Sequence, residues 1–186
     1  MQDSLLNKTV KRVNWTISRL EDINRSTSSL RKDPFNSGNT ELDAYLKRYA
    51  KQNDRLGTAR TFVALAGEDN YTIAGYYAGS ANLLDRTQLP PNLRENLPNY
   101  PPPAMLVGKL AVDRSMQGRG LGKRLLRHAF ENALNLSQNM GIYAVRVDAI
   151  DEQAKEFYKR CGFLEYQDSP FSLFILMSTI KQAANG

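Results

Sequence analysis

A glycine-rich segment near the middle of the chain has the residue types of a phosphate-binding turn. Residues 117–122 are Gln-Gly-Arg-Gly-Leu-Gly, and they lie between an apolar run and an amphipathic stretch. Glycines let backbone N–H groups approach a ligand closely, and the first turn of a following helix adds partial positive charge. The pattern therefore favours binding of phosphate groups by the backbone.

Two other phosphate motifs do not fit this segment. A Rossmann turn needs an acidic residue roughly 20 positions later, at the end of a strand, and Asp148 is nearly 30 positions away. A Walker loop needs Ser or Thr after Gly-Lys, but Lys123 is followed by Arg124. The spacing of these glycines alone does not exclude that the segment is a turn with a purely structural role.

Positive charge is concentrated around the same turn. Residues 106–130 carry six basic and one acidic side chain, in a chain of net charge +6. Such a segment attracts a polyanion, either a phosphorylated cofactor or a nucleic acid, although a solvated helix face has the same composition. The basic residues are Lys109, Arg114, Arg119, Lys123, Arg124 and Arg127.

Length and composition predict one domain that spans residues 1–186, because 186 residues with 41% hydrophobic side chains suit a single core. No apolar run reaches the roughly 20 residues that cross a bilayer, and basic residues interrupt the segment 1–13, so we expect a cytoplasmic protein without a membrane role. One cysteine and one histidine are too few for a disulfide or a zinc site, and no metal is expected.

Periodicity predicts strands that alternate with amphipathic helices. Thr40 is the predicted N-cap of the first helix. Six of the eight prolines lie between Pro90 and Pro103, so residues 85–104 are predicted to be an ordered excursion or a mobile lid. The predicted strands are 15–20, 60–66, 72–84, 105–112, 143–149, 163–166 and 173–178, and the predicted helices are 40–53, 120–140 and 151–160. Residues 1–13 are an N-terminal extension and 179–186 a C-terminal tail.

Two potentially reactive side chains, those of His128 and Cys161, are not expected to take part in catalysis. His128 lies on the polar side of the predicted helix 120–140, so we expect a solvated surface residue rather than a catalytic one. Cys161 adjoins Gly162 at the end of a helix, and we expect a small buried residue rather than a nucleophile.

Two motifs in this order resemble the GNAT superfamily of acyl-CoA-dependent N-acetyltransferases. The first is Gln117-x-x-Gly120-x-Gly122 directly after a strand, and the second, about 30 residues later, is Ala154-x-x-Phe157-Tyr158-x-x-x-Gly162-Phe163. The resemblance implies an α/β (α+β) fold, with a mixed, mostly antiparallel sheet flanked by helices. It also implies that the strand ending at Val112 splays from a parallel neighbour at 143–149.

By this resemblance, acetyl-CoA is the cosubstrate and its pantetheine arm fills the opening between the two strands. The N–H of Val112 would donate to the thioester oxygen, and the amides of residues 117–123 would bind the pyrophosphate. Asp151 lies where many members of the family have an asparagine that contacts pantetheine. The implied cofactor-binding residues are Leu110, Ala111, Val112, Gln117, Gly118, Arg119, Gly120, Leu121, Gly122, Lys123 and Asp151.

Tyr158 is the implied catalytic residue, because family members with Phe-Tyr at this place have the phenol near the CoA sulfur. It would act as the general acid that protonates the departing thiolate. Because the reference pKa values are near 10 for tyrosine and near 8.5 for a thiol, the proton transfer needs only modest tuning. The alternative is a tyrosine that packs in the core or against the cofactor.

Further stretches are similar to the toxins of bacterial toxin-antitoxin systems that acetylate the α-amine of aminoacyl-tRNA. They are residues 35–46, 60–63, 109–113 with the proline-rich segment before them, and 147–158. This likeness implies aminoacyl-tRNA as substrate, a block of translation, a ribbon-helix-helix antitoxin and a homodimer. An α-amine with a pKa of about 7.7 to 8.0 is partly neutral at pH 7, so a strong general base is not required.

Binding of tRNA requires basic residues beyond the phosphate turn. The candidates are Lys47, Arg48, Arg86 and Arg94, together with Lys8, Lys11, Arg12, Arg31 and Lys32; each of them could equally be a solvated side chain.

Two alternative functions share the sequence features. One is a GNAT acetyltransferase of a small amine or a protein amine, with 89–103 as a lid; the other is a non-catalytic acyl-CoA-binding or nucleic-acid-binding module.

Overall fold

The computed structural model describes residues 15–23, 35–66 and 72–185. The predicted N-terminal extension and the basic candidates Lys8, Lys11, Arg12, Arg31 and Lys32 lie outside the described residues. In the described ranges no helix is both long and apolar enough to cross a membrane.

Seven strands of the described residues form one sheet in the order β1-β2-β3-β4-β5-β7-β6. All neighbours are antiparallel except β4 and β5, which are parallel. The predicted mixed, mostly antiparallel sheet with one parallel pair is therefore confirmed. The strands are β1 Thr16–Arg19, β2 Arg60–Ala66, β3 Thr72–Leu83, β4 Pro103–Val112, β5 Ala144–Asp148, β6 Leu164–Glu165 and β7 Ser172–Leu176.

The predicted helices occur in the predicted order, and two additional ones lie at Pro91–Arg94 and Met177–Asn185. The helices are α1 Thr40–Ala44, α2 Ala50–Leu56, α3 Pro91–Arg94, α4 Leu121–Leu136, α5 Glu152–Arg160 and α6 Met177–Asn185. The segment predicted as a tail is thus mostly helical, and the preceding strand ends at Leu176 rather than 178. Met177 and Ile180 are buried in the core. Packing of this short apolar stripe therefore stabilises the helix, which its length alone does not predict.

The first predicted helix consists of α1, a π-helical turn Tyr45–Tyr49 and α2. Its N-cap is Asn39 and not Thr40, because the Asn39 side chain accepts hydrogen bonds from the amides of Glu41 and Leu42, each at 3.0 Å. Thr40 is already helical. Near the π-helical turn, the hydroxyl of Tyr76 donates to the Leu42 carbonyl at 2.7 Å.

The two faces of the sheet are covered by different elements. On the first face, α4 lays Leu121, Leu125, Ala129 and Ala133 against strand residues such as Val145 and Val147, as its periodicity predicts. Side chains alternate along a strand, so Ala144 lies on the second face, where it packs with Leu84 and Leu89. The second face also carries α1 and α2, which pack on β2 and β3.

The proline-rich segment is an ordered excursion over the second face. It contains a 3-10 turn at Arg86–Gln88 followed by α3. Leu89, which lies between the two, is fully buried. Arg86 Nη2 donates to the carbonyl oxygens of Arg94 and Leu97. The burial of Leu89 attaches the segment to the core, and the Arg86 bonds hold the segment together. Pro103 and Ala104 already belong to β4.

Candidate active site

The parallel strands β4 and β5 diverge halfway along β4. Their pairing runs from Ala104 opposite Ala144 to Val107 opposite Val147. Beyond this last pair, β4 continues to Val112, whereas β5 ends at Asp148. The sequence-based expectation of a splayed pair is therefore confirmed, and the second half of β4 faces an opening in the sheet.

Backbone groups of β4 point into this opening at alternate residues. The Asp113 N–H donates to the Ala74 carbonyl of the β3 side at 2.9 Å. Because N–H directions alternate along a strand, the N–H groups of Val112 and Leu110 point away from β3 and towards the opening. Ala111 instead turns its backbone to β3, and its side chain is buried. Of the three β4 residues predicted to bind cofactor, two present their backbone to the opening.

Gln117 has a different role from the one predicted. Its N–H bonds to the carbonyls of Asp113 and Arg114, so this amide is not available for a phosphate. Its side chain Nε2 donates to the carbonyl oxygens of Ser37 at 2.9 Å and Val112 at 3.0 Å. Gln117 therefore joins the loop before α1 to the end of β4.

The rest of the glycine-rich turn presents its amides freely. The N–H groups of residues 118–123 make no hydrogen bond within the described chain, and the bond from Arg124 N to Gly120 O begins the helical ladder. Gly118 and Gly120 have φ of +72° and +86°, and a Cβ at either would meet nothing within 4 Å. Six successive amides at the N-terminus of a 16-residue helix fit an anionic pyrophosphate.

Helix α5 brings an aromatic pair to the opening. Asp151 caps it, because Asp151 Oδ1 accepts from the Ala154 amide at 2.7 Å, which gives that side chain a structural role. Phe157 packs beneath the glycine-rich turn, where a Cβ on Gly122 would lie 3.5 Å from its ring. Tyr158 packs against Phe157 and Phe163, with ring centroids 5.3 and 5.5 Å away.

A cavity at the opening is lined by residues from both faces of the sheet. Tyr158 and Ala154 line it from the first face, and Leu42 and Lys109 line it from the second. A thioester and an amine can therefore meet inside it from opposite sides. The lining residues are Asn39, Glu41, Leu42, Val107, Gly108, Lys109, Leu110, Asp148, Ile150, Ala154 and Tyr158.

The Tyr158 phenol stays protonated in this cavity. Tyr158 is 6% exposed. Burial, together with the electrostatic effect of Cys161 and Asp148, raises the pKa of Tyr158 far above its ordinary value near 10. Among the described residues the hydroxyl has no hydrogen-bond partner, which leaves a proton donor free for a ligand.

His128 is not the solvated surface residue predicted. Its Nδ1 lies 2.9 Å from the Tyr77 hydroxyl, and its ring packs against Phe62 at 5.2 Å. Burial lowers its pKa below the ordinary value, because this part of α4 meets the sheet rather than water. Cys161 is half-buried rather than buried as predicted, and burial raises the pKa of its thiol.

The predicted tRNA-contacting residues lie away from the cavity. Lys47 and Arg48 are exposed on the π-helical turn. Arg86 and Arg94 hold the excursion together, since Arg94 Nη1 donates to the Thr87 carbonyl and Arg86 donates to Arg94. No metal-binding group of three or more His, Cys, Asp or Glu side chains occurs in the ranges that the structure describes.

The sequence analysis predicts only Leu110 and Tyr158 among the lining residues, and the four polar or charged ones that it misses are Asn39, Glu41, Lys109 and Asp148. Lys109 was noted only as part of a basic segment. A signal for Asp148 exists, since it is the last residue of β5 and residues at strand ends beside a cleft often have functional roles. Asn39 and Glu41 reach the cavity through the packing of α1 on the sheet, which no local pattern reveals.

Comparison with known proteins agrees with this geometry. The model of the acetyltransferase (GNAT) family matches residues 24–163. A tRNA-acetylating toxin of Mycobacterium tuberculosis is 34% identical over 147 residues, which are 79% of this chain and 86% of the toxin. Among solved structures, a tyrosine-to-phenylalanine variant of KacT superimposes with a TM-score of 0.84 at 28% identity, covering 91% of this chain and 98% of KacT.

A second solved structure is AtaT complexed with acetyl-methionyl-tRNAfMet, with a TM-score of 0.83 and 25% identity over 92% of this chain and 99% of AtaT. The splayed strands, the free amides and the buried tyrosine thus occur in a chain whose sequence matches one family over three quarters of its length. The protein belongs to the GNAT family of acetyltransferases.

Proposed function

We propose that the protein is a toxin that transfers the acetyl group of acetyl-CoA to the α-amine of aminoacyl-tRNA and thereby blocks translation. The observation that carries this proposal is the cavity at the splayed strands, which gives an amine and a thioester separate approaches to Tyr158. The tRNA-acetylating toxin and AtaT are similar over most of the chain and support this choice of acceptor.

The residues have distinct roles in the proposed reaction. The amides of Gly118 to Lys123 hold the pyrophosphate at the start of α4. The Val112 N–H donates to the thioester oxygen as negative charge develops on it, a contribution of about 3 kcal/mol if it matches other oxyanion holes. Leu110 offers a second backbone group to the pantetheine arm. Arg119 and Lys123 add positive charge beside the phosphates.

The proton balance assigns Tyr158 its task. Bound acetyl-CoA supplies the thioester whose carbonyl carbon accepts the amine. As the C–N bond forms and the C–S bond breaks, Tyr158 gives its proton to the departing sulfur. A protonated acceptor amine loses two protons overall; one replaces the proton of Tyr158 and the other goes to solvent. This general-acid role agrees with a phenol that is protonated and has no partner of its own.

The proposed substrate also defines the location and the partners. Aminoacyl-tRNA is a cytoplasmic molecule, so we place the reaction in the cytoplasm. AtaT has been solved in a complex with AtaR and DNA, and by analogy we expect an antitoxin to neutralise this protein. A ribbon-helix-helix fold of the antitoxin and a homodimeric working form are expectations from the sequence resemblance.

The decisive experiment is incubation of the purified protein with acetyl-CoA and charged tRNA, followed by mass spectrometry of the aminoacyl end. We expect acetylation of the α-amine. Parallel reactions with free amino acids, polyamines and lysine-containing peptides are the controls. Acetylation of these acceptors without any transfer to charged tRNA would contradict the proposed substrate.

A further inference from the structure

Asp148 is the last residue of β5 and lines the cavity opposite the splayed half of β4. It lies opposite Ser172 in the antiparallel pairing of β5 with β7, so the two side chains project from the same face of the sheet. Arg146, two residues earlier on β5, projects from that face as well. This is the second face, by which an acceptor amine would reach the cavity.

One oxygen of the Asp148 carboxylate is fixed by two donors. Ser172 Oγ donates to Asp148 Oδ1 at 2.7 Å, and Arg146 Nη2 donates to the same oxygen at 3.0 Å. The other oxygen, Oδ2, accepts no hydrogen bond from the described residues. The Asp148 side chain is 47% exposed, so Oδ2 remains accessible in the cavity. The two hydrogen bonds to Oδ1 fix the orientation of the carboxylate and therefore the direction in which Oδ2 points.

Arg146 is itself held in place. Its Nη1 lies 3.4 Å from Asn82 Oδ1 on β3, and its guanidinium lies 5.7 Å from the centre of the Tyr166 ring. A guanidinium restrained on two sides presents a constant geometry to the carboxylate. The orientation of Asp148 therefore depends on three strands, β3, β5 and β7, rather than on a flexible surface side chain.

The charged side chains of the cavity are Glu41, Lys109 and Asp148. Lys109 makes no ion pair with either carboxylate in the described structure, and its positive charge disfavours an ammonium group beside β4. Glu41 accepts no hydrogen bond that would fix its carboxylate. Asp148 is thus the anchored anion of the cavity, and a bond from an ammonium group to a carboxylate is among the stronger hydrogen bonds of proteins.

We propose that Asp148 Oδ2 binds the α-ammonium group of the acceptor and holds its nitrogen in the cavity that contains Tyr158, with Ser172 and Arg146 as positioning residues. This inference rests on the proposed function and adds the group that recognises the amine. It also explains release of the product, since an acetylated nitrogen is neutral and no longer pairs with the carboxylate.

The test compares aminoacyl-tRNA with the same tRNA carrying the α-hydroxy acid, in which a hydroxyl replaces the amine. For the wild-type protein we expect the amino form to bind about 10- to 100-fold more tightly, as for one charge-assisted bond. Asp148→Asn keeps the size of the side chain and an acceptor for Ser172, and it should bind the two forms equally. Ser172→Ala should raise KM for aminoacyl-tRNA with a smaller effect on kcat.

Asp168→Asn removes an exposed carboxylate outside the cavity and is the matched control, expected to discriminate like wild type. Affinity for acetyl-CoA and the melting temperature check that every variant is folded. Retention of full discrimination by Asp148→Asn would overturn the inference while leaving the proposed function intact. Should the wild-type protein acetylate another primary amine instead, the proposed substrate fails, and the same comparison with that amine and its hydroxyl analogue still decides the role of Asp148.

Discussion

The side chain of Gln117 donates to the Val112 carbonyl at 3.0 Å and so closes the end of β4 onto the glycine-rich turn. The same nitrogen reaches the loop before α1 through the Ser37 carbonyl. One exposed side chain therefore sets the spacing between the proposed oxyanion donor and the proposed phosphate site.

Gln117→Leu removes both hydrogen bonds. We expect the free energy of unfolding to fall by about 1 kcal/mol, since the bonds are solvent-exposed, and the Kd of acetyl-CoA to rise several-fold because the turn shifts. Thermal melting and calorimetry measure the two effects. Gln138→Leu, on the exposed turn after α4, is the control that leaves both unchanged, and unaltered affinity in Gln117→Leu would contradict the positioning role.

Tyr158→Phe should bind acetyl-CoA normally and lose about 10²- to 10⁴-fold in kcat, the range for a general acid. Single-turnover rates with saturating acetyl-CoA measure this loss. Tyr100→Phe, on the exposed excursion, is the control. A kcat within twofold of wild type would show that Tyr158 packs against the cofactor without giving a proton.

The raised pKa of Tyr158 also predicts the pH dependence of kcat. An acid whose pKa is raised stays protonated to higher pH, so the rate should show no fall from tyrosine deprotonation below about pH 10. The log of kcat measured from pH 6 to pH 9.5 checks this. A descending limb near pH 8 that disappears in Tyr158→Phe would contradict the protonated state.

The glycines of the turn offer a matched comparison. Gly118→Ala, Gly120→Ala and Gly57→Ala each place a Cβ at positive φ in open space, so each should cost about 1 kcal/mol of stability. Gly57 ends α2, outside the phosphate turn. We expect weaker acetyl-CoA binding in the first two variants alone, measured by calorimetry; equal affinity in all three would show that the turn does not bind the cofactor.

Asp54 predicts how stability depends on pH. Its side chain is 3% exposed and pairs with Arg19 at 2.7 Å and Arg60 at 3.1 Å. Burial alone would raise its pKa, but the Arg19 hydrogen bond and the Thr61 amide outweigh burial and hold the pKa below its ordinary value. The stabilisation that accompanies a lowered pKa is present at pH values above the pKa of the unfolded state, about 3.9 for aspartate. It is lost as the pH falls through the pKa of Asp54 in the folded state.

Asp54→Asn should therefore lower the free energy of unfolding by about 2 kcal/mol at pH 7, and the difference from wild type should shrink below pH 4. Denaturant unfolding at several pH values measures it. Asp22→Asn, on the exposed turn after β1, should differ little from wild type. A constant difference down to pH 3 would contradict the ion-pair explanation.

Salt should weaken transfer to charged tRNA more than binding of acetyl-CoA, because phosphate contacts along an RNA release bound counterions. Lys47→Glu with Arg48→Glu should raise KM for charged tRNA about tenfold and reduce this salt dependence. Initial rates between 50 and 300 mM salt measure both effects; Lys181→Glu on α6 is the control. A KM unchanged by the double substitution would remove these two residues from the tRNA surface.

The sheet and the cofactor side of the site were predictable from sequence because their signals are local. The β-favouring runs of β2, β3 and β4 match the observed strands within two residues, and the free amides lie where the glycines of the turn predict them. Ala111 and Gln117 depart from prediction for a geometric reason. A motif identifies a segment, but strand alternation and a side-chain bond to Ser37 decide which atoms face the ligand.

The acceptor side was not predictable, because it depends on contacts between distant residues. Asp148 becomes an oriented carboxylate through Ser172, 24 positions later. His128 lies on a polar helix stripe, yet tertiary packing brings it to Tyr77 on β3. Asn39 and Thr40 are both good N-caps by type, and only the backbone angles of the entering loop select between them.

The π-helical turn Tyr45–Tyr49 has a consequence for how the chain tolerates insertion and deletion. Each helical residue advances the direction of the next by roughly 100°, and a π-helical turn contains an additional residue. Removing one residue from this turn would therefore convert it to α-helical geometry, and α2 would keep its direction and the ion pair of Asp54 with Arg19. We expect the chain to tolerate the loss of one residue here, where the side chains of Lys47 and Arg48 face solvent.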